Sequence, residues 1–291
     1  MRIGVDVGGT KTEIAVLGAG GEFLLRRRVA TPTGYAAMLG TIATLVSDVE
    51  SEIDARASIG LGIPGSISTR TGLVRNANTV CMNGQPLGTD LARVLGREVR
   101  VANDANCLAL SEATDGAAAG AASVFGVILG TGCGGALVLG GRVVEGANGI
   151  AGEWGHNPLP WATGDELAGP ACWCGKHGCL ETFLSGPGIA RDHGEGLTAI
   201  AIAEAARTGD VAAIAAFDRH ADRVTRALAT IVNMIDPEVV VLGGGVGSLE
   251  GLAARVEAGL PRWVFADATT TRVVVPLHGD SSGVRGAAWL W

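Results

Sequence analysis

His156, Cys172, Cys174 and Cys179 form the clearest chemical constellation of this chain. Three cysteines fall within eight residues, spaced C-x-C-x4-C, and the histidine lies sixteen residues before the first of them. Three thiolates and one imidazole fill a tetrahedral zinc site and leave no position for water, the pattern of a structural metal. His177, inside the cysteine loop, is a rival fourth ligand. The neighbours of the cluster are acidic. His156 ends Gly152-Glu153-Trp154-Gly155-His156, and Glu181 follows Cys179 by two residues. A metal there would fix two carboxylates, and carboxylates accept hydrogen bonds from vicinal hydroxyls of a sugar. One ring nitrogen of His156 would bind the metal while the other faces the ligand. Trp154, Trp161 and Trp173 stand close by in sequence; most tryptophans are simply core, but an aromatic ring can also wall a sugar pocket.

A second group of residues suits phosphate. Asp6-x-Gly8-Gly9-Thr10-Lys11 and Gly130-Thr131-Gly132 each place glycines between two apolar runs, and Gly243-Gly244-Gly245 follows a third run. Glycine lets backbone N–H groups approach phosphate oxygens without interference from a Cβ. Thr10 adds a hydroxyl donor, and Asp6 could hold Mg²⁺ through water. Neither turn is a P-loop or a G-x-G-x-x-G fingerprint. Asn103-Asp104-Ala105-Asn106 lies between a strand and a helix. Helix capping explains such residues in part, with Asn103 or Asp104 as the cap. Both readings hold together if Asn103 caps the helix and Asp104 acts as a general base on an attacking hydroxyl.

The elements that carry these residues follow from apolar patterning. Runs at 2–8 and 12–18 flank the first glycine turn, with a third strand over Glu22–Val29. A helix is expected over Tyr35–Ile53, with Leu39, Ile42, Leu45, Val46 and Val49 on its apolar face. Strands follow at Ser58–Ile63 and Glu98–Ala102, and a helix runs from Asn103 to about Ala119. Strand, glycine turn, strand, strand then recurs at Val124–Leu129, Ala136–Leu139 and Arg142–Glu145. The offset from Gly8 to Gly130 is 122 residues, which reads as a duplicated unit. Helices over Ala199–Arg207, Val211–Ile235 and Leu249–Ala258, strands at Val239–Leu242 and Arg272–Val275, and a helix over Ser282–Trp291 packed back on the first lobe complete the chain. The fold class is therefore α/β, a two-lobed duplicated domain with a nucleotide in the interlobe cleft. The smaller lobe takes 1–115 with 279–291, and the larger takes 116–278 with the metal cluster.

Composition narrows the function classes. At 291 residues, 47% hydrophobic and 18% charged, the chain can bury a large core. A net charge of −7 argues against nucleic acid or an anionic membrane as partner. No signal-like segment opens the sequence, so six cysteines fit a reducing, cytoplasmic setting, with Cys81, Cys107 and Cys133 as core thiols. The uncharged stretch from Gly116 to Gly141 is long enough to span a bilayer, but nine of its 26 residues are glycine and it reads as a buried hairpin.

Taken in order, Asp6-x-Gly-Gly-Thr-Lys11, Gly62-Ile63-Pro64-Gly65, Asn103-Asp104-Ala105-Asn106, Gly130-Thr131-Gly132-x-Gly134-Gly135, Gly152-Glu153-Trp154-Gly155-His156 and Cys172-x-Cys174-Gly175-x-x-Gly178-Cys179-Leu180-Glu181 resemble the ROK family of repressors and sugar kinases, within the actin and hexokinase-like (ribonuclease H-like) superfamily. The resemblance covers essentially the whole chain. Residues 152–161 and 278–289 look like those of bacterial fructokinases, also described as manno(fructo)kinases. The resemblance implies ATP- and Mg²⁺-dependent phosphorylation of D-fructose, and of mannose, at the 6-hydroxyl, in a homodimer. The alternative within the family is N-acetylglucosamine kinase or glucokinase. The resemblance further implies Asp104 as general base, with Gly65, Asn78, Asn103, Glu153, His156 and Glu181 around the sugar. By the same resemblance zinc would take His156, Cys172, Cys174 and Cys179, and ATP would lie against Gly8, Gly9, Thr10, Lys11, Gly130, Thr131, Gly132 and Gly244. A repressor would need a helix-turn-helix ahead of the first strand, which begins at residue 2, and a non-catalytic actin-like machine has no use for the braced carboxylates. The stretch Asn157–Ala171 is longer than in many relatives and could reshape the sugar pocket.

Overall fold

The computed structural model describes residues 1–194 and 196–291. Its first sheet is built from β1 (Arg2–Val7), β2 (Lys11–Leu17), β3 (Phe23–Ala30), β4 (Ser58–Ile63) and β7 (Arg100–Asn103), in the order β3-β2-β1-β4-β7. The second uses β8 (Ser123–Leu129), β9 (Cys133–Leu139), β10 (Arg142–Val143), β11 (Val239–Gly243) and β12 (Arg272–Val274), in the order β10-β9-β8-β11-β12. The two orders are the same. In each sheet an antiparallel hairpin is followed by parallel partners, so the repeated sequence pattern is a repeated topology. A small hairpin of β5 (Ser66–Ile67) and β6 (Val74–Arg75) projects between β4 and β7.

Parallel strands end at one edge, and that edge collects the candidate residues. Asp6 pairs with Gly62 across β1 and β4, and Ile63 pairs with Asn103 across β4 and β7. The Pro64-Gly65 turn and Asp104 therefore emerge side by side. In the second sheet Gly243 pairs with Ile128, which sets Gly130 beside Gly244.

The helices are α1 (Tyr35–Ile53), α2 (Leu87–Leu95), α3 (Asp104–Asp115), α4 (Leu180–Leu184), α5 (Gly186–His193), α6 (Ala199–Arg207), α7 (Val211–Ile235), α8 (Gly244–Gly247), α9 (Leu252–Gly259) and α10 (Ser282–Ala288). Helix α1 has the expected bounds but turns Met38 rather than Leu39 fully inward. Helix α3 stops at Asp115, short of Ala119, because the buried Glu112 carboxylate receives the Ala117 N–H and pulls the chain out of register. β7 starts at Arg100 and continues through Asn103, later at both ends than expected, and β10 ends at Val143. Helix α9 begins at Leu252 behind Gly251, a left-handed cap, and α10 ends at Ala288.

Helix α3 follows the first sheet in sequence but lies on the second, with Ala105 and Ala109 buried among Val124, Ala136, Val138 and Val241. A Cβ on Gly126 would fall 2.6 Å from the Ala109 methyl, so glycine admits the helix. Helix α10 fills the space between the first sheet and α3. A Cβ on Gly60 would meet the Ala287 carbonyl at 1.8 Å, and one on Gly286 the Cys107 carbonyl at 1.7 Å. No helix among the described residues is long and apolar enough to cross a membrane.

Candidate active site

Asp104 opens α3 at the edge of the first sheet. Asn103 is the N-cap: its Oδ1 accepts from the Ala105 N–H at 2.8 Å, while its Nδ2 donates to the Gly65 carbonyl at 2.8 Å. One side chain thus joins the helix start to the Gly65 turn. Gly65 has φ +80°, and a Cβ there would lie 2.4 Å from the Arg75 carbonyl. The Asp104 Oδ1 accepts from the same Ala105 N–H at 2.8 Å. Burial pushes the Asp104 carboxyl up to about 6; the Ala105 N–H opposes this, and the nearby Glu153 charge adds to it. Asp6 is pushed up to about 7, first by burial and then by the charges of Asp104 and Glu13, against the pull of Lys11 and Arg28. Asp104 therefore acts on Asp6 through its charge and itself feels the charge of Glu153.

The second lobe brings its share on a loop laid flat along β9. A Cβ on Gly152 would strike the Gly135 carbonyl at 2.2 Å, and one on Gly155 the Cys133 carbonyl at 2.0 Å. Both glycines of Gly152-Glu153-Trp154-Gly155-His156 are thus fixed by close backbone approach. Trp154 is buried, edge-on to Phe125, and donates to the Gly134 carbonyl at 2.9 Å. Between the lobes lies a cavity of about 80 Å³, lined by Asn103, Asn106, Ser66, Ile67, Ile150 and Glu153 among others.

His156, Cys172, Cys174 and Cys179 converge, with their ligand atoms all within 4.8 Å of one another. The Cys172 Sγ stands 3.6 Å from the His156 Nδ1, and the Cys174 Sγ stands 3.6 Å from the Cys179 Sγ. A tetrahedron with Zn–S of about 2.3 Å has edges near 3.8 Å, so the donor set fits zinc. The group includes His156 and not His177. Glu181 sits in the first turn of α4, directly after Cys179. Its Oε2 accepts from the Cys133 N–H at 3.1 Å and its Oε1 from the Trp173 indole at 2.6 Å. Trp173 also packs edge-on to His156, with centroids 5.0 Å apart. The sequence reading of Trp173 as core, or else as a pocket wall, gives way to an exposed side chain whose indole donates to Glu181.

The two glycine turns close the hairpins at the start of each sheet. Gly9, Thr10 and Lys11 are exposed at the first hairpin, which closes through Gly8 N–H to the Lys11 carbonyl at 2.9 Å. In the second, Gly130 N–H donates to the Gly132 carbonyl at 3.0 Å, and the exposed Thr131 lies between them. A Cβ on Gly132 would lie 2.8 Å from the Glu181 Oε2, and one on Gly244 (φ +80°) 2.3 Å from the Leu129 carbonyl. Asn78 is exposed, and no hydrogen bond ties it to the other candidate residues among those described. Its loop is pinned by Asn83, which accepts from the Ala77 N–H at 2.9 Å and donates to the Ala77 carbonyl at 2.8 Å. The Asn83-Gly84 pair was the available sequence signal for that turn.

The stretch Asn157–Ala171 does not enter the cavity beside Asn103. Glu166 on it bonds Arg223 and Arg226 of α7 at 2.7 and 2.8 Å, and Arg226 donates to the Pro160 and Trp161 carbonyls. Burial alone would raise the Glu166 carboxyl, but the two guanidiniums outweigh it and hold it down at about 2. Cys107 and Cys133 are buried as expected, and Cys81 is only half-buried.

A model of the ROK family matches residues 2–291. An N-acetyl-D-glucosamine kinase of Vibrio cholerae is 41% identical over all of this chain and 99% of its own length. The solved ROK hexokinase from Thermus thermophilus superposes with a TM-score of 0.87 at 34% identity, covering 99% of this chain and 96% of that one. A ROK family glucokinase from Streptomyces griseus, in complex with glucose and AMPPNP, gives 0.80 at 29% identity, covering 99% and 98%. The expectation of a fructose acceptor is corrected by the first of these, which favours the N-acetylglucosamine alternative. The motifs behind that expectation do structural work here. Gly152 and Gly155 seat the loop on β9, while His278 bonds Asp115 at 3.0 Å and Gly286 admits α3. None of these jobs depends on the sugar.

Proposed function

The chain belongs to the ROK family, and we propose that within it this protein is an ATP-dependent kinase that phosphorylates N-acetyl-D-glucosamine at its 6-hydroxyl. The observation that carries the reading is Asp104: a carboxylate at a strand-to-helix junction, pushed up to about 6 by burial, next in sequence to the Asn103 that lines one cavity with Glu153. A group poised near neutrality can take a hydroxyl proton as the oxygen attacks phosphorus. Asn103, Glu153, His156 and Glu181 hold the sugar hydroxyls, with Gly65 and Asn78 at the pocket wall. The N–H groups of Gly8–Lys11 and Gly130–Gly132 receive the phosphates, and Gly244 lies beside the nucleoside. Asp6 is the residue placed to hold Mg²⁺ through water, an ion that neutralises charge developing on the transferred phosphoryl group. Zinc in the His156, Cys172, Cys174 and Cys179 set would be structural, fixing the loop that presents Glu181.

A coupled assay of ADP release with N-acetylglucosamine, glucose, mannose and fructose tests the reading. The expected result is the highest kcat/KM with N-acetylglucosamine. Preference for another hexose would move the substrate within the class, and silence on all four would overturn the kinase itself.

A further inference from the structure

Arg75 lies outside every motif discussed so far. It stands on β6 of the first lobe and spans the rim of the cleft. Its Nε donates to the Ser66 Oγ at 3.1 Å, next to the Gly65 turn. Its Nη2 reaches into the second lobe, donating to the Asn148 carbonyl at 2.9 Å and the Gly149 carbonyl at 3.4 Å. Among the described residues it makes no ion pair, so its bonding is spent on this bridge. The facing segment is shaped for close contact. Gly149 has φ +61°, and a Cβ there would come within 3.0 Å of the Thr69 Cγ2 and 3.4 Å of the Ile67 carbonyl. The loop continues through Ile150 and Ala151 to Glu153, with Glu153 N–H bonded to the Ile150 carbonyl at 3.1 Å. The 80 Å³ cavity lies just inside this bridge, with Ser66, Asn103, Ile150 and Glu153 in its wall.

We propose that Arg75 is a positioning residue for phosphoryl transfer, a clasp that holds residues 148–153 against the Gly65 turn and so sets Glu153 opposite Asn103 and Asp104. The proposal rests on reading that cavity as part of the sugar pocket. A guanidinium suits the task because one rigid fork serves Ser66 and two carbonyls at once. With the rim clasped, the sugar hydroxyl is the nucleophile nearest the phosphate and water is kept out. With the clasp gone, the rim opens, Glu153 loses its register and water competes.

The test compares Arg75→Ala and Arg75→Lys with the wild-type chain, after thermal melting has shown that both fold. Amide hydrogen exchange over 146–153 is read without sugar, and it should quicken at least tenfold in Arg75→Ala. With MgATP and N-acetylglucosamine, the KM for sugar should rise about tenfold while the KM for ATP stays. ADP release should exceed sugar phosphate formed, where the wild type gives one for one. Arg75→Lys, able to reach a carbonyl but not to fork, should recover part of the KM and of the coupling. Unchanged exchange in Arg75→Ala overturns the clasp whatever the sugar. Faster exchange with unaltered sugar KM and coupling overturns its part in the reaction. A wild-type chain idle on every sugar would instead defeat the kinase reading, an outcome visible before any variant is made.

Discussion

Asp104 carries two opposing consequences, one for rate and one for stability. In the proposed role of base it must be ionised, so kcat should rise with pH through about 6 and fall about tenfold per unit below that. Asp104→Asn should cut kcat by about 10² or more while leaving zinc content and sugar binding in place; near-normal turnover would remove the base from the mechanism. Stability runs the other way. The ordinary value of 3.8 is raised to about 6 in the folded chain, so the folded state keeps a proton that the unfolded state has released. Stability is therefore lost as pH climbs from about 4 through 6, and the loss persists above. At pH 8 Asp104→Asn should melt higher than wild type, by the equivalent of about 1–2 kcal/mol, since part of the group still meets the cleft. A lower melting temperature would mean the carboxylate holds the fold together. Asp104 was legible in sequence because a strand run ends and a helical run begins around it. The Trp173 bond to Glu181 and the Arg75 bridge were not, because both depend on where a side chain points after the backbone has folded.

At the level of elements, the cysteine loop and α4 act as one piece. Cys179 is the N-cap of α4, Glu181 stands in its first turn, and the Leu180 N–H bonds the Asn157 carbonyl at 2.8 Å. A metal held by Cys179 thus holds the helix start as well. Cys174→Ser, which leaves the helix cap untouched, should lose zinc on elemental analysis, lower the melting temperature and raise the sugar KM about tenfold together. If stability fell and sugar binding did not, the metal would brace the fold alone. The elements that sequence foretold were those with strong periods: the two glycine hairpins, α1, α6 and α7, the last three with the expected bounds. The misses were short. Helices α4 and α5 have five and eight residues and start among glycines and a proline, so no 3.6-residue period develops. The β5–β6 hairpin has two residues a strand. Tertiary contact, not local preference, makes these, and they are the pieces that frame the site.

For the whole molecule, the deciding element is the last one. Helix α10 reaches back from the C-terminal end of the sequence to lie between the first sheet and α3, with Val284, Ala287 and Ala288 fully buried. Ser282 and the Leu277 N–H both bond Glu112 of α3 at 2.8 Å, and Arg285 pairs with Asp115. The helix that carries Asp104 is therefore gripped along its far end by the end of the chain. The fit has no slack, because a Cβ on Gly286 would lie 1.7 Å from the Cys107 carbonyl, one turn from Asp104. Gly286→Ala must push α3 or α10 aside, at a cost of about 1–3 kcal/mol. Moving α3 by about 1 Å would carry the base off its line and cost about 10² in rate. Gly40→Ala is the contrast, on an exposed face of α1 with no heavy atom within 4 Å of the new methyl. It should gain up to about 1 kcal/mol and leave kcat alone. Thermal melting and steady-state turnover of the two variants decide the matter. If Gly286→Ala melted and turned over like wild type, α10 would be loosely seated, and the alignment of Asp104 would have to come from the sheets alone.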